Sequence, residues 1–334
     1  MATPEQPLHA PQIYTRFLAG GPSPLRLSLP DTMLVVVGGL ILTGTAAAAS
    51  TAWGVAGPGA WLPRAAAATL AAWVTAALAA RWLGSRLGAL AGLAQLTSVH
   101  VLLPHRASAA EMLYCAAVAA AMGAFALANV PGRLPLVDER WTRWGFYAAA
   151  GTTYVLAGPV GPAFILAGCL LFLLLCADSR GARFFASPVG IAVFALLVAA
   201  RLARPNEGLA GLFLTPSDMA GETLGPAISL RELFRWLAVA GLPWTPLAVL
   251  AVAVGLRRGH YATPIWRFLG CWVLGPLALV AVGGFRDRAQ LGPLFAPLAV
   301  TAAAGLGALV IRCRRKWRGF RVRRIPSARL SVEG

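Results

Sequence analysis

Charge is what this chain has least of: only 12% of its 334 residues are Asp, Glu, Lys or Arg, about half the share of an ordinary soluble domain. Cysteine is scarce too, and Cys115, Cys169, Cys176, Cys271 and Cys313 form no CxxC pair and cluster with no histidine. That spacing excludes a disulfide framework and a zinc site. No cleavable signal peptide is expected either. The first 30 residues hold six prolines with Arg16 and Arg26, where such a peptide needs a basic start followed at once by an apolar core.

What is present is apolar. With 58% hydrophobic residues and a mean hydropathy of +0.69, the chain is a multi-pass membrane protein, and an all-α transmembrane helical bundle of about ten spans is the expected fold class. The expected segments are 33–50, 65–80, 87–103, 109–128, 144–160, 162–177, 184–200, 237–256, 268–284 and 291–311. Gly158-Pro159-Val160-Gly161-Pro162 alone divides the fifth from the sixth; a single kinked helix there would reverse the sidedness of everything after it. Residues 1–32 read as a disordered basic tail, 33–311 as the membrane domain, and 312–334 as a basic cytoplasmic C-terminal tail.

The formal charge of +17 is distributed in twos and threes between apolar runs, a pattern of topology signals that points to anionic lipid as partner rather than nucleic acid. If the N-terminus is cytoplasmic, 21 basic residues fall on inner segments and eight on outer ones, and 12 against eight remain without those of the tail. The positive-inside rule therefore expects both termini in the cytoplasm, with the protein in the plasma (inner) membrane.

That orientation puts the seam Pro104-His105-Arg106-Ala107-Ser108-Ala109-Ala110-Glu111-Met112 outside. It also puts Arg64, the loop 201–232 with Glu207 and Asp218, and Phe285–Gln290 with Arg286 and Arg288 on the same face. Charged groups at span ends suit an aqueous site, although residues of a plain helix hairpin would look the same. No Asp, Glu, Lys or Arg lies near the middle of a span, which argues against an ion-coupled pump.

Several stretches resemble the polyprenol-phosphate-dependent membrane glycosyltransferases, the GT-C group with the family 39 protein mannosyltransferases and the aminoarabinose transferases. Leu62-Pro63-Arg64 is similar to that family's RLP step. Leu83-Gly84-Ser85-Arg86-Leu87-Gly88-Ala89-Leu90-Ala91 is similar to its LGxRxGxLA turn, and Arg106 with Glu111-Met112 to its Arg followed five residues later by an acid and Met. Residues 150–175, 241–258 and 285–306 continue the likeness in the same order, over roughly 53–311.

The resemblance implies a sugar donor on a polyprenyl phosphate, transferred to a lipid, glycan or protein acceptor at the outer face. Arg64, Arg106, Arg286 and Arg288 would then hold the departing phosphate, and Glu111, Glu207 or Asp218 would serve as base with His105 as helper. Nothing in the sequence marks a metal site, and a need for a divalent cation stays open. The departures are as specific: the family's first helix and its acidic outer loop have no counterpart, Ala157 replaces the Lys of a Lys-Gly-Pro step, and Gln290 replaces a Tyr. A catalytically inactive relative that binds lipid phosphate or a partner membrane protein is therefore the alternative expectation, and a truncated gene start a third.

Overall fold

The computed structural model describes residues 35, 61–102, 108–130, 139–176, 179–203, 230–257, 263–283 and 289–323. Its helices are α1 (Trp61–Leu83), α2 (Ser85–Leu96), α3 (Ala109–Asn129), α4 (Glu139–Ala157), α5 (Val160–Cys176), α6 (Pro188–Ala203), α7 (Leu230–Ala240), α8 (Thr245–Arg257), α9 (Pro264–Gly283) and α10 (Phe295–Arg323). Short helical turns at Val99–Leu102, Ser179–Ala182, Arg183–Phe185 and Ala289–Leu294 join them. No strand occurs among the described residues, as the composition requires: in lipid a helix satisfies its own backbone.

By length and composition, Pro63–Leu83, Ala109–Asn129, Pro264–Ala281 and Gln290–Val310 can each cross a membrane, while Val160–Cys176 and Pro188–Ala203 are shorter apolar helices. Over their described residues, the expected segments from residue 65 onward fall mainly on helix, and 33–50 lies outside the described residues except for Val35. Segment 144–160 includes the turn at Gly158–Pro159, and 184–200 is interrupted at Ala186–Ser187; two further breaks shape the site end. The 87–103 run ends as helix at Leu96, because Thr97 and Ser98 turn their hydroxyls back onto the carbonyls of Leu93 and Gln95, both at 2.7 Å. Such side-chain bonds compete with the helical ladder. The 237–256 run is broken at Gly241–Trp244, where α7 and α8 meet at 110°.

Small residues set the packing. A Cβ on Gly88 would come within 2.5 Å of Ala80 Cβ, and one on Gly92 within 2.9 Å of the Ala72 carbonyl, so α1 and α2 form a tight antiparallel hairpin closed at Gly84, whose φ is 88°. Close backbone approach of this kind is how helices gain dispersion energy where lipid offers no hydrophobic drive. Gly158, at φ 68°, closes the α4–α5 turn, and Gly161 seats on the Thr153 backbone; these are two antiparallel helices, not one kinked span. Gly275 of α9 lies against the backbone of Ala167 and Gly168 in α5.

The helices alternate in direction, so the fold has two ends. Phe125 forms the centre of an aromatic core with Phe146, Phe172, Phe184 and Phe268 toward one of them. That end carries Arg81, Arg86, Arg140, Arg143, Arg183, Arg257 and Arg267 with Glu139. The opposite end carries the start of α1, the Val99–Leu102 turn, the start of α3, the α7–α8 corner and the Ala289–Leu294 turn. Between the ends, outward-facing Leu170, Leu174, Leu196, Val249 and Leu256 are exposed, a surface that suits acyl chains.

Candidate functional site

The site is built at the second end, where α1 begins and α3 follows the seam. Ser108 caps α3: its hydroxyl accepts from the Glu111 N–H at 3.2 Å, and its own N–H donates to Glu111 Oε2 at 2.8 Å. This reciprocal capping box satisfies two helix-end donors and places a carboxylate where the helix dipole favours it. Glu111 is 9% exposed.

The α1–α2 hairpin carries Arg64 to the same place. Its Nη2 donates to the Val101 carbonyl at 2.8 Å, across 37 residues of sequence, and its guanidinium lies within the electrostatic reach of Glu111. Cys115, one turn further along α3, also feels that carboxylate. Arg64 and Glu111, nominated separately from sequence, are thus brought together.

A histidine outside the nominated set completes the floor. His100, 3% exposed, stacks on Phe295 at 4.9 Å and meets Trp236 edge-on at 5.5 Å. Gly292 is pressed between Cys115 and this imidazole, since a Cβ there would lie 2.8 Å from Cys115 Sγ and 3.3 Å from His100 Nε2. Two further bonds fix the α7–α8 corner to the floor: Trp244 Nε1 donates to Thr97 Oγ1 at 2.7 Å, and the Val99 N–H donates to the Leu242 carbonyl at 3.2 Å. The available signal for His100 was its position, an imidazole inside an apolar run and one residue from the carbonyl that Arg64 grips. Trp236 of α7 also packs on Phe295, at 5.3 Å between ring centroids.

Arg106, His105, Glu207, Asp218, Arg286 and Arg288 lie outside the described residues. The described residues bordering two of their segments do meet: Val101 and Ser108 flank the first, and the Ala289–Leu294 turn after the second packs on α3 through Gly292 and Cys115. Ala157 and Gln290, the positions where the family's Lys and Tyr are replaced, are also at this end. No group of three or more His, Cys, Asp or Glu side chains able to hold a metal occurs among the described residues.

Solved structures share the architecture. The crystal structure of ArnT from Cupriavidus metallidurans in the apo state matches at a TM-score of 0.59 and 19% identity, over 91% of this chain and 55% of that one. The same protein bound to undecaprenyl phosphate matches at 0.57 and 16%, over 90% and 61%. This chain therefore spans little more than half the length of the protein it matches. No protein-family model matches the sequence, and no curated protein does. The resemblance read from sequence holds at the level of structure: the chain shares the fold of ArnT.

Proposed function

We propose that a chain with this fold is a glycosyltransferase of the plasma (inner) membrane, moving a sugar from a polyprenyl-phosphate donor to an acceptor at the outer face. One observation carries the reading: in an ArnT-like architecture, the described charged residues nominated from sequence, Arg64 and Glu111, converge at one end of the bundle. The undecaprenyl phosphate bound to ArnT supports the lipid class. The crowding of arginines at the opposite end supports cytoplasmic termini through the positive-inside rule.

In the reaction the acceptor hydroxyl or amine attacks the sugar's anomeric carbon, the bond from that carbon to the phosphate oxygen breaks, and the acceptor proton passes to a carboxylate. The departing phosphate gains charge, which guanidinium groups meet bidentately. Arg106, Arg286, Arg288 and Arg64 are the proposed phosphate ligands. A guanidinium has five donors, so the Arg64 bond to Val101 is compatible with a phosphate contact. Glu111, Glu207 and Asp218 are the candidate bases, with His105 as helper.

A second reading has its own support. Glu111 caps α3 and Arg64 clamps the Val99–Leu102 turn, so both serve as structural ties. A non-catalytic protein that binds lipid phosphate would need no more from them. Purified full-length protein in nanodiscs, given a polyprenyl-phosphate sugar and membrane-extract acceptors, separates the two. Sugar transfer that falls in Glu111→Gln and Arg288→Ala supports the transferase with these roles. Turnover unchanged by both substitutions removes the role assignments, and lipid-phosphate retention without transfer by the wild type establishes the binding protein.

A further inference from the structure

Helix α7 is the most strongly amphipathic element of the described chain. Leu233, Leu237 and Ala240 are buried, while Arg231, Glu232, Phe234 and Arg235 are exposed, Phe234 by 57%. It is too short to cross a membrane, and it turns through 110° into α8, whose outward side exposes Val249 and Leu256 to the acyl region. A helix set across the end of a lipid-facing span runs along the membrane surface rather than through it.

The order of side chains around α7 matters more than their number. At about 100° per residue, rotation away from the buried face meets Phe234 first, then Arg231 and Arg235, then Glu232. Apolar, cationic and acidic groups thus follow one another as acyl chains, phosphates and water do on leaving a bilayer. Val239, on the Glu232 side, is in the last turn beside the corner. Neither Arg231 nor Arg235 forms a hydrogen bond or ion pair with another described residue, and long basic side chains next to an aromatic ring are suited to reach lipid phosphate.

We propose that α7 is an interfacial helix that seats in the leaflet at the site end, with Phe234 among the acyl chains and Arg231 and Arg235 on the headgroup phosphates of anionic phospholipid. Because Trp236 of the same helix packs on His100, that lipid contact holds one wall of the site floor. The inference stands whether or not sugar is transferred, since its observables are lipid contacts.

The test uses full-length protein in nanodiscs, in a Cys313→Ser background because Cys313 is the exposed described thiol. Nitroxides placed through Phe234→Cys and Glu232→Cys report collisions with oxygen, enriched in lipid, and with a water-soluble nickel chelate. The expected result is oxygen dominance at 234 and nickel dominance at 232. In discs containing phosphatidylglycerol the wild-type arginines retain that lipid over phosphatidylcholine, and Arg231→Gln with Arg235→Gln lowers the preference about fivefold per arginine. Equal nickel access at both positions overturns the proposal. So does spin–spin broadening at 234, which would reveal a second copy on this face, or an unchanged lipid preference in the double variant. Inorganic phosphate abolishing that preference at millimolar concentration would assign the arginines to a soluble anion and overturn it as well.

Discussion

Ser108 and Glu111 each bond the other's backbone, and the pairing separates a helix-capping role from a chemical one. Ser108→Ala removes one side of the box and is expected to cost about 1 kcal/mol of stability, seen as a lower thermal midpoint in detergent, while sugar transfer stays within a few-fold. Glu111→Gln keeps an N3 residue able to cap but cannot accept the acceptor's proton. Its thermal midpoint should stay near wild type while turnover falls about 10²- to 10⁴-fold if Glu111 is the base. Tyr114 offers a contrast. Its hydroxyl is buried without a hydrogen-bond partner among the described residues, so Tyr114→Phe should be neutral or stabilising by up to about 1 kcal/mol. At this scale the sequence disclosed Arg64 and Glu111, because charge beside an apolar run stands out. It did not disclose His100, whose importance comes from Phe295 and Trp236, each well over a hundred residues away.

Among the elements, the hairpins rest on glycines and the site wall on a corner. A methyl at Gly275 would lie 2.6 Å from the backbone of Ala167 and Gly168, atoms that cannot swing aside, so Gly275→Ala should cost about 1–3 kcal/mol by forcing α5 and α9 apart. Thermal unfolding of the purified variant measures it. Helix positions were legible because apolar runs of this length have few alternatives. The breaks within them were less so. Thr97 and Ser98 are apolar enough on average to be absorbed into a hydrophobic run, yet their hydroxyls end α2. Likewise Gly241-Leu242-Pro243-Trp244 looked like part of one span, because mean hydropathy does not register the Trp244–Thr97 and Val99–Leu242 bonds that hold the corner.

Over the whole molecule, the arrangement predicts which segments share a side. Cysteines introduced at Arg106 and Arg288 should react with a membrane-impermeant maleimide added from one face, and cysteines at Arg86 and Arg140 only after the opposite face is opened. Labelling of positions 106 and 288 from different faces would dissolve the shared site. The arginine distribution of the sequence gives the same expectation, and the Gly158 turn removes the parity question that Pro159 and Pro162 had raised. The sequence could not show how α4 through α6 lean together, since that depends on Gly151 and Gly190 meeting Leu197 and Tyr147.

The lengths of α5 and α6 have a consequence for the surrounding lipid. At 1.5 Å per residue, their 17 and 16 residues give rods of about 26 and 24 Å, short of the roughly 30 Å hydrocarbon slab of a typical bilayer. Hydrophobic mismatch on this flank would pinch the leaflets toward each other and favour residence in membranes of shorter acyl chains. Reconstituted protein should therefore melt at a higher temperature in 14-carbon than in 22-carbon monounsaturated lipids, with the bilayer dimpled wherever these two helices face outward.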